Sequence, residues 1–355
     1  VRFALSEEHQ ALAATAGRWA EASFGPARLR QAAAGQPVDQ AGVRTELAEM
    51  GWLGIVVPEA LGGSGGTVLD GCLVAEQLAR HLVPAPFAGP ALVVATAAAL
   101  LPEVERTGVL TGLADGTTAY ALVLDERLRW PPVAGEGRAF EWTPGARLLV
   151  PGPEGLAEED PGAASPIPCQ DLTRQVGRVP GLAPWADPSG DRTELVLAVA
   201  HVGLAACLVG TMSGAMDTAL AHVATRQQFG RTIGSFQAVQ HLCADMLVDV
   251  ESARTATYGA AWAVGNLTPG EAVVAGATAK AWAAAAARRV CETAIQLHGG
   301  MGYTWECDAH LYLRAALFCA DAFGGEAGAL DTVADAVFAA ARTADPATTH
   351  TQEED

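Results

Sequence analysis

Arg226-Gln227-Gln228-Phe229-Gly230-Arg231-Thr232-Ile233-Gly234-Ser235-Phe236-Gln237 separates two long alanine-rich stretches whose apolar residues recur at helical spacing. Upstream, Leu195 to Met216 carries no Asp, Glu, Lys or Arg. Its length admits a membrane-spanning reading. Alanine and glycine supply much of the run, however, and a helix buried on all sides in a bundle has the same pattern. That helix is expected to open at Asp191-Arg192-Thr193-Glu194, which has the acid-x-x-Glu spacing of a capping box, and to run to about Thr225. Downstream, Thr268-Pro269-Gly270-Glu271 is a second capping box, with proline where no amide proton is needed, and predicts a helix to about Leu297. With helices over 233–264 and 308–342, the C-terminal part reads as a four-helix bundle.

The 355 residues suggest two or three domains. Half are hydrophobic but only 6% aromatic, so alanine dominates the apolar material and a mainly α fold is expected. A formal charge of −18 excludes a phosphate-gripping nucleic-acid surface as the main business. Seven cysteines without C-x-x-C, and eight histidines without H-E-x-x-H, predict neither a disulfide framework nor a metal site. Val1-Arg2-Phe3-Ala4-Leu5 followed by Glu7 and Glu8 lacks an apolar leader pattern, which predicts a cytoplasmic protein that is not in the membrane.

Ser6 with Glu7 and Glu8 predicts a helix to about Phe24. Helical periodicity returns over 41–50 and 69–81. Between them, Gly51-Trp52-Leu53-Gly54-Ile55-Val56-Val57-Pro58-Glu59 and Leu61-Gly62-Gly63-Ser64-Gly65-Gly66 are too glycine-rich for a regular element and predict a loop. From Gly112 to about Pro184 short strands are expected, at Tyr120-Ala121-Leu122-Val123-Leu124 and Arg147-Leu148-Leu149-Val150. Residues 151–168, rich in proline, glycine, alanine and acid, predict a mobile loop. The division is then an N-terminal helical domain over 1–111, a small β domain over 112–186, the bundle over 187–342 and a disordered acidic tail over 343–355. No fixed-period repeat is present.

A second segment, Gln296-Leu297-His298-Gly299-Gly300-Met301-Gly302-Tyr303-Thr304-Trp305-Glu306, also lies between two helices. Its glycines let backbone amides approach a ligand, and Arg226 and Arg231 bring guanidinium forks suited to a pyrophosphate into an acidic chain. Two plain interhelical turns, with glycine at helix ends and arginine in solvent, explain the same residues. Taken with G-W-L-G-I-V-V-P-E, L-G-G-S-G-G and Asp171-Leu172-Thr173-Arg174, these segments resemble the acyl-CoA dehydrogenase family over nearly the whole chain. The resemblance implies FAD as cofactor, its ADP half bound across a subunit interface by Arg226, Gln228, Phe229, Gln237, Gln296, Gly299 and Gly300.

The family removes the α-proton of an acyl-CoA with a carboxylate while a hydride passes from the β-carbon to flavin. Here Ala322-Phe323-Gly324-Gly325 stands where the usual Tyr-Glu-Gly turn is expected, so Gly324 replaces the base. The alternative position, 26 residues before Arg226, holds Ala200. Asp321 and Glu326 are offset carboxylates, and His201 a neighbouring imidazole, each an unusual candidate. In place of the ring-holding Thr-Glu-Pro-x-x-Gly-Ser-Asp segment stands Leu124-Asp125-Glu126-Arg127-Leu128-Arg129-Trp130. The resemblance thus implies a subunit of a steroid side-chain type hetero-oligomer, α2β2, that completes FAD binding for a second acyl-CoA dehydrogenase-like chain holding most of the acyl-CoA site. An independent homo-oligomeric flavoenzyme using Asp321 or Glu326, and a flavin-free structural partner, are the alternatives.

Overall fold

Ser6 caps α1 (Glu7–Ser23) by accepting from the His9 amide, while His9 accepts from the Ser6 amide in return. The computed structural model describes residues 4–33, 38–186 and 190–344. Three further helices follow, α2 (Pro26–Ala33), α3 (Gln40–Glu49), capped by Asp39, and α4 (Val68–Arg80), capped by Thr67. The segment 51–66 is a loop interrupted by one 3-10 turn, Glu59–Leu61. A buried π-helix, Ala88–Val94, runs into the single turn α5 (Ala95–Ala97), and α6 (Glu103–Ala114) closes the N-terminal part.

Six strands make one mixed sheet: β1 (Tyr120–Asp125), β2 (Gly135–Ala139), β3 (Arg147–Gly152), β4 (Gly155–Glu159), β5 (Ser165–Ile167) and β6 (Val176–Leu182). Their order is β4-β3-β1-β2-β6-β5, with only β1 and β3 parallel. The expected mobile loop over 151–168 is corrected here. Gly152 pairs with Gly155 across a hairpin, and β5 adds to β6, so backbone pairing orders a stretch whose composition is mostly proline, glycine, alanine and acid.

The bundle starts with α7 (Gly190–Thr225), whose 36 residues span about 54 Å. Asp191 lies inside its first turn rather than capping it, and residues 187–189 fall outside the described ones. The stretch from Val196 to Ala215 is buried almost throughout, against α4, α9 and the π-helix, as the bundle reading requires. Gly210 and Gly214 are the points of closest approach. A Cβ on Gly210 would overlap the Glu76 carbonyl of α4, and one on Gly214 would meet the Arg80 carbonyl and the Tyr312 ring.

Beyond a two-strand hairpin, β7 (Gln227–Gln228) and β8 (Arg231–Thr232), α8 (Gln237–Asn266) begins four residues later than expected, because Ile233–Ser235 forms a 3-10 turn. The capping box at Thr268 and Glu271 opens α9 (Pro269–His298). The expected single helix over 308–342 is two, α10 (Ala309–Asp321) and α11 (Gly325–Ala344). Phe323, Gly324 and Gly325 all have positive φ, which no helix tolerates, so the chain breaks there. The tail expected to be disordered lies mostly outside the described residues.

Candidate functional site

Two regions carry the predicted residues, and they differ in exposure. At the first, the hairpin tip Phe229-Gly230 has φ of 53° and 77°, the double left-handed turn that suits a two-residue connection. Phe229 is thrown outward, 92% exposed, with only an edge contact to Phe236 at 6.2 Å between centroids. Arg231 stacks over Phe236 at 4.0 Å, while Arg226, Gln228 and Gln237 are exposed. His222, one turn before Arg226, stacks on His298 at 4.4 Å, which sets the hairpin beside the end of α9. There Gln296, Gly299 and Gly300 are also exposed. Gly299 has φ of 63°, and neither it nor Gly300 would place a Cβ within 4 Å of any atom. Among the described residues nothing packs where a Gly300 side chain would stand, so its backbone is open to close approach. The same α8 and α9 ends border an open groove of about 860 Å³ lined by Asp245, Asp249, Arg289, Gln296 and Tyr303 among others.

The second region, around the positions where the base was sought, is closed. Gly324 lies in the α10 to α11 break, and Phe323 before it is 2% exposed. The Phe323 amide donates to the Leu128 carbonyl at 2.6 Å, and its ring meets Phe140 edge-on at 5.2 Å; Phe140 stacks in turn on Phe318 at 5.9 Å. Leu128 sits at the tip of a turn wound around buried Asp125, which accepts from the Arg127 and Arg129 amides and the Arg129 side chain. The stretches that stand in place of the family's ring-holding motif and of its base turn thus bind each other.

Below the break lie two buried polar side chains, His201, one of the unusual candidates, and Lys280, which the sequence expectations did not single out. Lys280, the chain's only lysine, is wholly buried on α9 and donates to the Ala320 and Ala322 carbonyls at 3.0 and 2.9 Å, the open end of α10. Burial pulls its pKa down to about 8, against the opposing charges of Cys319, Asp321 and Glu326. His201 Nε2 donates to the Phe323 carbonyl at 3.1 Å, leaving Nδ1 without a partner among the described residues. Burial first, and the charge of Lys280 second, push the His201 pKa down to about 3. A lone lysine inside Ala279-Lys280-Ala281 was the available signal. Ala200 is buried. Asp321 is exposed and lines a cleft of about 450 Å³ with Arg138, Cys169 and Arg314, and Glu326 is exposed in the first turn of α11. Neither has the dry surroundings that make a carboxylate a strong base.

A third cluster ties the sheet to the helices. Glu141 accepts from the Phe87 and Gly89 amides at 3.0 and 2.7 Å and from Arg174 at 2.8 Å, and Arg174 also donates to Asp171 at 2.8 Å. All three are buried or nearly so. Among the described residues no group of three or more His, Cys, Asp or Glu is arranged to hold a metal.

This arrangement of a helical N-terminal part, a six-stranded sheet and a bundle with glycine-bearing turns matches two family models: the acyl-CoA dehydrogenase N-terminal domain over residues 6–117 and the C-terminal domain over 192–338. The chain belongs to the acyl-CoA dehydrogenase family, whose members are FAD-binding oxidoreductases. It is 34% identical to the acyl-CoA dehydrogenase IpdE2 of Mycobacterium tuberculosis (strain ATCC 25618 / H37Rv), over 87% of this chain and 91% of that one. It is 35% identical to the acyl-CoA dehydrogenase FadE34 of the same organism over 76% of this chain, but spans only 38% of FadE34. Among solved structures, the ChsE4-ChsE5 complex of M. tuberculosis superposes with a TM-score of 0.82 at 26% identity, covering 95% of this chain and 99% of that one.

Proposed function

We propose that this chain is the FAD-completing, base-lacking subunit of a hetero-oligomeric acyl-CoA dehydrogenase. The observation that carries this reading is the contrast between its two regions. The outer motif is open, with an exposed phenylalanine, two arginines and glycines over which none of the described residues packs. The inner region is closed by the Phe323 to Leu128 hydrogen bond and offers no carboxylate at Gly324 or Ala200. The residues present suit the ADP half of FAD. Arg226 would pair with the pyrophosphate, Gly299 and Gly300 would bring backbone amides to it, and Phe229, Gln228, Gln237 and Gln296 would border the adenosine. The chemistry supplied when FAD is bound is acceptance of a hydride from the β-carbon of an acyl-CoA. In this reading the ring, the substrate and the base lie on a second family chain, as the heteromeric ChsE4-ChsE5 complex encourages. The same reading extends to a steroid side-chain acyl-CoA and an α2β2 assembly, and the two-chain ChsE4-ChsE5 complex supports pairing with an unlike chain.

The test is stoichiometry. The chain is co-purified with a family partner that carries glutamate at either base position, and released flavin is quantified against protein. One FAD per pair of unlike chains is expected. Two would show that the inner region opens to seat a ring. None, with a stable complex, would leave a purely structural partner.

A further inference from the structure

Two histidines stand at the roots of the two outer segments. His222 lies in the last turn of α7, and its carbonyl accepts from the Arg226 amide at 2.9 Å. His298 ends α9 directly before Gly299 and Gly300, and its Nδ1 lies 2.7 Å from the Ala294 carbonyl. A carbonyl only accepts, so Nδ1 carries the proton and the ring is fixed in orientation. Both imidazoles are half-buried, and they stack at 4.4 Å with 28° between their planes. A ring contact therefore ties the backbone that presents Arg226 to the backbone that presents Gly299 and Gly300. The charged groups that reach His222 are His298 from α9 and Arg226 from the hairpin; among the described residues no carboxylate of α4, α8 or α10 joins them. The 3-10 turns Ile233–Ser235 and Gly299–Tyr303, packed on the ends of α7 and α9, add no acid, and their one titratable side chain is Tyr303. Burial first, then His298 and Arg226, hold the His222 pKa below its usual value. The carbonyl ends of both helices favour a cation at the same place. An anion arriving beside Arg226 offsets the neighbouring positive charge and lets His222 accept a proton.

We propose that His222 is a positioning residue of the outer site: stacked on His298, it sets Arg226 against Gly299 and Gly300, and it takes up a proton from solvent when a pyrophosphate binds there. Resting on the FAD-completing reading above, this makes FAD affinity rise as pH falls. The sign follows from linkage. A bound dianion moves the His222 pKa back up, so between the free and the bound value the complex holds more proton than the free chain, and acid favours binding.

The test titrates FAD into the flavin-stripped complex of this chain with a family partner, at pH 8 and at pH 6, and reads binding by flavin fluorescence. Affinity is expected to be about tenfold higher at pH 6, the effect of one unit of pKa. His222→Phe keeps a ring on His298 but takes no proton, and is expected to cut that ratio to about threefold or less. His222→Ala removes the stack and is expected to weaken FAD about fivefold at pH 8, most of which phenylalanine restores. A ratio near one in the wild type, or the wild-type ratio in His222→Phe, would overturn the proton uptake. An alanine variant as tight as the wild type at pH 8 would overturn the positioning. The FAD reading fails separately, by Arg226→Ala leaving FAD affinity intact. If Arg226→Ala loses FAD while the histidine variants keep the wild-type affinity and ratio, only the role of His222 falls.

Discussion

Lys280 concentrates more consequence than any other single side chain. Its ammonium caps two carbonyls at the end of α10, and methionine there leaves both unpaired in a buried place, at a cost of about 1–3 kcal/mol each. A pH signature accompanies the loss. Burial holds the folded pKa near 8 against 10.5 for the exposed group, so between those values the unfolded chain keeps the proton that the folded chain has released. Stability from this group therefore rises from pH 8 to 10.5. The gap between wild type and Lys280→Met in denaturant melts is expected to widen across that window by roughly 3 kcal/mol; a constant gap would show the ammonium to be better solvated than its burial implies. His201 acts on the acid side, where the unfolded imidazole takes up a proton below 6.5 and the folded one resists until about 3. Stability is lost as pH falls through that range, and His201→Leu should flatten this limb. At the open region, Arg226→Ala removes one partner of a charge-assisted contact, and an FAD affinity lower by about 2–5 kcal/mol is expected, read as flavin lost on gel filtration.

The break between α10 and α11 shows how local backbone geometry decides what an element can do. Restoring a carboxylate with Gly324→Glu is expected to give no acyl-CoA-dependent flavin bleaching. The position has φ of 89°, so a side chain costs about 1–2 kcal/mol there, and the preceding Phe323 stays tied to Leu128. Turnover in that variant would show the closed region to be pliable. The absence of Glu at 324 was legible in the sequence, because a motif position is either a carboxylate or not. The closure was not, since it depends on Leu128 and Phe323, nearly 200 residues apart, meeting through backbone atoms that any residue type carries. The same holds for the hairpin of β3 and β4, whose pairing is invisible in a composition of proline, glycine and acid. The capping boxes at Thr67 and Thr268 span four residues each, and the one at 268 was read directly because its signal is local.

Across the whole molecule the buried ion cluster and the helix crossings bind the parts together. Arg174 links Glu141, which holds the start of the π-helix, to Asp171 near β6, and Arg174→Met would strand two buried carboxylates. A loss of about 3–5 kcal/mol is expected, seen as a lowered denaturant midpoint with little change in slope. Gly210 and Gly214 bring α7 against the α4 backbone at Glu76 and Arg80, contacts about 130 residues apart in sequence, and one apolar core runs from Ala16 through the sheet to Phe323. The helical N-terminal third is therefore no autonomous folding unit. Until α7 is in place, α4 lacks its largest packing partner and keeps only α1 and the π-helix beside it, and the entropy of closing that long loop must be met before α4 and α7 gain by their contact. Melting should pass through a single cooperative transition, and a fragment ending near residue 117 should emerge from synthesis as an unstructured, aggregation-prone chain awaiting the remainder of itself.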